Sequence, residues 1–116
     1  GKVLRLGNLT PRRDYTHVTD TVAALMALER VQLANGCGAF NVGTGVTTSV
    51  EELVRLLEEV LMTSLRVEVD TQQTRRADRP HLQADCSRLR DLTNWQPGVS
   101  LREGLRHLCQ LEGLIR

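Results

Sequence analysis

Lysine is nearly missing from this chain. Lys2 is the only lysine among the 15 Lys and Arg residues of a 116-residue sequence, so its basic side chains are almost all arginine. An acid–base pair built as Tyr-x-x-x-Lys is therefore excluded: the single tyrosine, Tyr15, has Thr19 at that spacing. Aromatic residues are scarce as well, one each of Phe, Trp and Tyr. That leaves Leu, Val and Ala to fill the core and removes the platforms on which single-stranded nucleic acid stacks. A net charge of +1 supplies no global field for nucleic acid or an anionic membrane. Cys37, Cys86 and Cys109 are odd in number and far apart, matching neither a disulfide framework nor a metal-ligand spacing. Reduced, small apolar residues of a cytoplasmic protein are expected at these positions. His17, His81 and His107 are equally dispersed. There is no GK[ST], GxSxG or HExxH, and no apolar run near ~18 residues, so neither a signal peptide nor a membrane span is expected.

What is present is a single-domain length with an ordinary apolar fraction, 41%. "KVLRL" (2–6) alternates and reads as a strand, "GNLTP" (7–11) as a turn, and "RRDYTHV" (12–18) as a second strand. A helix is expected from Thr19 or Asp20, capped by one of them, through Asn35 to a stop at Gly36. Its apolar face would be Val22, Ala24, Leu25, Met26 and Leu28. "AFNV" (39–42) reads as a short buried strand. Ser49 with Glu52 forms a capping box, after which Val50, Leu53, Val54, Leu57 and Leu61 recur at helical spacing. "LRVEVD" (65–70) alternates as a half-exposed strand, and residues 71–81 read as a loop. A short helix is expected near Asp85, and a last one after a second capping box, Ser100 with Glu103. Trp95 and Pro97 look structural. The order is α/β or α+β, a small sheet covered by helices.

The segment "FNVGTGVTTS" (40–49) has the order strand, glycine turn, helix, and invites comparison with a dinucleotide loop. The pattern GxGxxG would need a third glycine at position 48, which is Thr48, and no acidic residue follows at the required place. The turn is therefore read as a junction, with Asn41 and Thr44 satisfying local backbone groups. Two arginine-bearing segments remain, "RRDYTHVTD" (12–20) and "TRRADRP" (74–80). Taken singly, each reads as a solvated basic stretch. The excess of arginine over lysine has two compatible sources, bias in base composition and recruitment of planar guanidinium groups to grip phosphates.

Taken together, "LRLGNLTPRRDYTHVTDTVAAL", "FNVGTGVTTSVEELVRLL" and "RRADRPHLQADCSRLRDLTNWQPGVSLREGL" are more specific. In this order they resemble the extended short-chain dehydrogenases/reductases. More narrowly, they resemble the C-terminal portion of the nucleotide-sugar epimerases and dehydratases, with "LGNL…RD" most similar to GDP-mannose 4,6-dehydratase and its relatives. The resemblance runs from Val3 to about Gln110. It implies that Arg13 and Arg75 contact the diphosphate of a nucleotide-diphosphate sugar, that Asp78 binds the ribose hydroxyls, and that Asn8 lines the nucleotide pocket. Convergent guanidinium groups suit a diphosphate, and a carboxylate suits a vicinal diol. The family's usual Gly before that acid is Ala77 here.

The resemblance also implies NAD or NADP in the full-length family, bound by an N-terminal Rossmann domain that carries the glycine loop and the YxxxK pair. Neither motif occurs here, so residues 1–116 read as one substrate-binding domain fragment with no cofactor site and no catalytic residues of its own. The helix from Asp20 and the strand at Phe40 would pack on the missing sheet. A homo-oligomer, or a companion Rossmann domain, is expected to cover them. Three functions are compatible with these residues: a nucleotide-sugar-binding portion inactive alone, a non-enzymatic interaction module derived from the family, and a nucleic-acid binder. The last is disfavoured by charge and composition.

Overall fold

A computed structural model describes residues 2–33, 36–74 and 78–116. Among the described residues there are two strand pairs, four α-helices and a short 3-10 turn at Thr71–Gln73. β1 (Val3–Leu6) pairs in parallel with β4 (Arg66–Val69), Val3 opposite Arg66 and Leu6 opposite Val69. β2 (Arg12–Arg13) pairs antiparallel with β3 (Thr48–Ser49). On its other side Arg12 bridges His81 in parallel: its N–H donates to the Pro80 carbonyl (2.8 Å), and its own carbonyl accepts from Leu82 N–H (3.0 Å).

The clearest local signal in the sequence produces the clearest helix. In α2 (Val50–Leu61) the Ser49 hydroxyl accepts from Glu52 N–H (3.1 Å) while the Glu52 carboxylate accepts from Ser49 N–H (3.0 Å). The second capping box opens α4 (Leu101–Leu111) in the same way, and the two helices pack together with an Arg102–Glu59 ion pair at their exposed edge. α3 (Ser87–Thr93) precedes α4 in the chain.

Three expected features take a different form. The strand at 12–18 is only two residues long, because Asp14 turns out of the ladder to serve the glycine turn. Residues 39–42 are not a strand; Phe40 instead lies under the Arg88 guanidinium (4.9 Å to the ring centre), and Arg88 donates to the Ala39 carbonyl (3.0 Å). The first helix, α1, spans Val18–Glu29 and ends before Gly36. Beyond it Leu33 turns to line a small hollow with Phe40 and Leu92, a position a continued helix would carry away.

Its cap is also unexpected. His17 Nδ1, not Asp20 or Thr19, accepts from the backbone, at Thr19 N–H (3.2 Å). Asp20 is buried and committed elsewhere: its two oxygens accept from Gly98 N–H (2.9 Å) and Val99 N–H (3.0 Å). Its carbonyl accepts from Trp95 Nε1 (3.1 Å). Trp95 thereby finds a partner for its one polar atom while its ring joins Ala24 and Leu89 in the core, with Ala27, Leu28, Phe40 and Val42 around them. Cys86 and Cys109 are buried, as their apolar reading requires, and Cys37 is exposed; all three are free thiols.

Candidate functional site

Around β2, three consecutive residues take three different jobs. Arg12 faces β3 and α2. Its Nε donates to Thr47 Oγ1 (3.1 Å), its Nη2 to the Thr47 carbonyl (2.9 Å), and its head pairs with Glu52 (3.1 Å). All its charge is thus spent on joining β2 to the start of α2.

Asp14 faces the glycine turn. One oxygen accepts from Thr44 Oγ1 (2.6 Å) and Thr44 N–H (2.9 Å), the other from Gly45 N–H (2.8 Å), with a longer contact to Ala84 N–H (3.4 Å). Burial alone would raise the carboxyl's pKa, but these bonds outweigh it and hold Asp14 below its ordinary value of 3.8. Gly43 has to be glycine at this junction, since a Cβ would stand 2.5 Å from Ala84 Cβ and 2.8 Å from Asp14 Oδ2. Cys86 Sγ donates to the Gly43 carbonyl (3.4 Å); burial, and then the charge of Asp14, push the thiol up and keep it a donor.

Arg13 lies between these two and faces neither. Its Nη1 donates to the Arg12 and Arg79 carbonyls, both at 2.8 Å, and its Nη2 to Asp78 Oδ1 at 2.6 Å. Both side chains of that pair are about a quarter exposed, against 72% and 43% for the surface pair Arg5–Glu68. Two sequence-predicted site residues, 65 positions apart, are therefore in direct contact. Arg75 lies outside the described residues. Asn8 is exposed; its Oδ1 accepts from Thr10 N–H (3.1 Å) and Thr10 Oγ1 (2.9 Å), and among the described residues no hydrogen bond joins it to Arg13 or Asp78.

The roles of Arg12 and Asp14 went unread in the sequence. Both residues stand in the quoted "RRD" phrase, but nothing local says which arginine is spent inside the fold. A cavity of about 480 Å³ opens nearby, lined by Tyr15, Thr44, Val46, Gly98 and Ser100 among others. Among the described residues its one carboxylate, Glu103, is engaged in the α4 capping box, and no arginine lines it. Among the described residues no group of His, Cys, Asp or Glu is placed to hold a metal ion, and no helix is long and apolar enough to cross a membrane.

The sequence profile of the GDP-mannose 4,6 dehydratase family matches residues 1–108. The chain belongs to this family. It is 30% identical over 105 residues to the GDP-6-deoxy-D-mannose reductase of Pseudomonas aeruginosa, a match covering 89% of this chain and 33% of that protein. The structure of RMD from Pseudomonas aeruginosa complexed with NADPH superposes with a TM-score of 0.82 at 26% identity, over 93% of this chain and 35% of that one. The UDP-glucuronic acid 4-epimerase of Bacillus cereus, in complex with UDP-glucuronic acid and NAD, superposes at 0.81 with 25% identity, over 95% and 36%. The chain thus spans about a third of the length of the relatives it matches. Its α/β fold is that of the C-terminal part of Rossmann-type extended short-chain dehydrogenases/reductases, and NAD and NADPH are the cofactors of the compared structures.

The fit of such a cofactor to this chain can be tested at its one glycine-rich turn. Cradling a pyrophosphate requires free backbone N–H groups. At Thr44 and Gly45 those groups already donate to the Asp14 carboxylate. The turn is occupied by an anion of the chain's own, so it does not fit the pyrophosphate of a dinucleotide.

Proposed function

We propose that this chain is the nucleotide-diphosphate-sugar-binding portion of an NAD(P)-dependent sugar-modifying enzyme of the epimerase and dehydratase type. The carrying observation is the arrangement at Arg13. Three of its five N–H groups are fixed by Arg12, Arg79 and Asp78, and the other two have no partner among the described residues, which leaves them for an outside oxygen pair in this reading. In this reading Arg13 and Arg75 hold the diphosphate, Asp78 takes the ribose hydroxyls, and Asn8 borders the nucleotide. The chain does not perform the redox step itself, having no Tyr-x-x-x-Lys pair. It works with the dinucleotide-binding half of such an enzyme, supplied in the same or a companion polypeptide.

Titration of the chain with GDP- and UDP-sugars, followed by calorimetry, tests the reading. Saturable binding is expected. Arg13→Ala and Arg75→Ala are each expected to weaken it by about tenfold or more, the scale of a lost charge-assisted bidentate contact. Absence of saturable binding to any nucleotide sugar would overturn it. A second reading, a non-enzymatic interaction module, is favoured by the exposed apolar residues Val18, Val22, Leu25 and Met26 along α1. It predicts stable assembly without nucleotide binding.

A further inference from the structure

We propose that Asp78 is a positioning residue for Arg13: its carboxylate sets the guanidinium so that the remaining donors face a diphosphate. The proposal rests on the functional reading above, and gives Asp78 a task separate from any contact with ribose.

The geometry supports a brace. Nη1 is held between two backbone carbonyls, of Arg12 and Arg79, which fixes one end of the planar group. Nη2 would be free to swing about that end without a second restraint, and Asp78 supplies it at 2.6 Å. Nε–H and one hydrogen of Nη2 then have no hydrogen-bond partner among the described residues. Two such donors on one rigid plane match two oxygens of a phosphate.

The loop that brings Asp78 here does not depend on the ion pair for its place. Pro80 and Leu82 are stitched to Arg12 by backbone bonds of 2.8 and 3.0 Å. The Arg79 carbonyl would keep its Arg13 contact if the carboxylate were removed. Asp78 is therefore in a position to orient Arg13 rather than to hold the loop.

Inorganic pyrophosphate, which has no ribose, separates this task from diol binding. Its affinity for the full chain should fall about tenfold in Asp78→Ala, the scale on which a charge-assisted hydrogen bond acts. Asp78→Asn should recover most of that loss, because the amide oxygen can still accept from Nη2. In an Arg13→Ala background, Asp78→Ala should cause no further loss. Emission from the single, buried Trp95 reports that each variant is folded. Slow rotation of the Arg13 guanidinium in nitrogen-15 NMR, lost in Asp78→Ala, provides a readout independent of ligand.

Unchanged pyrophosphate affinity in Asp78→Ala, with Arg13 still required, would leave Asp78 a ribose contact only and overturn the brace. Tighter binding would mean that Asp78 masks Arg13, and would overturn it equally. If wild-type protein binds neither pyrophosphate nor a nucleotide sugar, or if Arg13→Ala binds both as well as wild type, the functional reading fails and the brace with it.

Discussion

At the scale of single residues, the "RRD" phrase shows how three neighbouring polar side chains are sorted by what the fold sets around them. Arg12 and Asp14 are consumed by internal bonds, whereas two donors of Arg13 have no partner among the described residues. Asp14 is the more consequential of the internal pair for stability. Asparagine in its place would offer one acceptor oxygen and an NH₂ that confronts the N–H groups of the turn. Asp14→Asn is expected to cost about 2 kcal/mol, measured by urea unfolding at neutral pH. The pH dependence has a definite sign. The folded-state pKa of Asp14 lies below its ordinary 3.8, so its contribution is complete above that value and is lost as pH falls through the folded pKa. Glu52 and Asp85 are also lowered, first by hydrogen bonds from Ser49 and Ser87 respectively, and add to acid sensitivity in the same direction. The wild-type stability curve should therefore fall more steeply below about pH 4 than that of Asp14→Asn. Parallel curves would show that the turn does not depend on the ionised carboxylate.

At the scale of elements, what could be read in advance was whatever is decided within one helical turn. A capping box involves two residues three apart, and both occurrences form as expected at Ser49–Glu52 and Ser100–Glu103. The cap of α1 was illegible because Asp20, a good capping residue by type, is drawn 78 residues along the chain to Gly98. His17 takes its place. The end of α1 was illegible for a similar reason: helix propensity runs on past Glu29, but Leu33 gains more by turning toward Phe40. Ser49→Ala is expected to lower stability by about 1 kcal/mol, with the loss seen as earlier fraying of α2 in amide exchange. Asp20→Ala should cost more, about 2 kcal/mol, because two half-buried backbone N–H groups lose a buried acceptor. Equal losses for the two would mean that the Gly98–Val99 segment finds water in place of Asp20.

At the scale of the whole molecule, the packing is incomplete in a way that has a physical consequence. The surface is 8656 Å² for 13.0 kDa, where a compact monomer of this mass has roughly 6,300 Å². The radius of gyration, 17.1 Å, likewise exceeds the roughly 13 Å of a compact chain this long. β1 and β4 form a two-stranded parallel sheet, a motif that is marginal without further strands and covered faces. α1 is apolar nearly all round, yet Leu25 is 59% and Met26 53% exposed. Such a face is expected to seek cover. Sedimentation equilibrium should show self-association rising with concentration, reduced in a Leu25→Glu, Met26→Glu double variant whose α1 stays folded. A chain that remains monomeric at the highest soluble concentration would contradict this expectation.

The amino-acid sequence by itself determined the local events: the two capping boxes, the alternation of β1, the glycine junction and the lack of a Tyr-x-x-x-Lys pair; the alternation read at 65–70 does not carry into burial, since Val69 at the end of β4 is exposed. Three phrases in register were also enough to indicate the family. Each of these depends on residue type and short spacing, which the chain carries with it into any fold. Only the tertiary structure decided which arginine of "RRD" is spent on Thr47 and Glu52, that Asp14 fills the turn that looked like a phosphate cradle, and that Asp78 meets Arg13. Those outcomes depend on contacts 30 to 65 residues apart in sequence, where distance in space is set by packing and not by spacing along the chain.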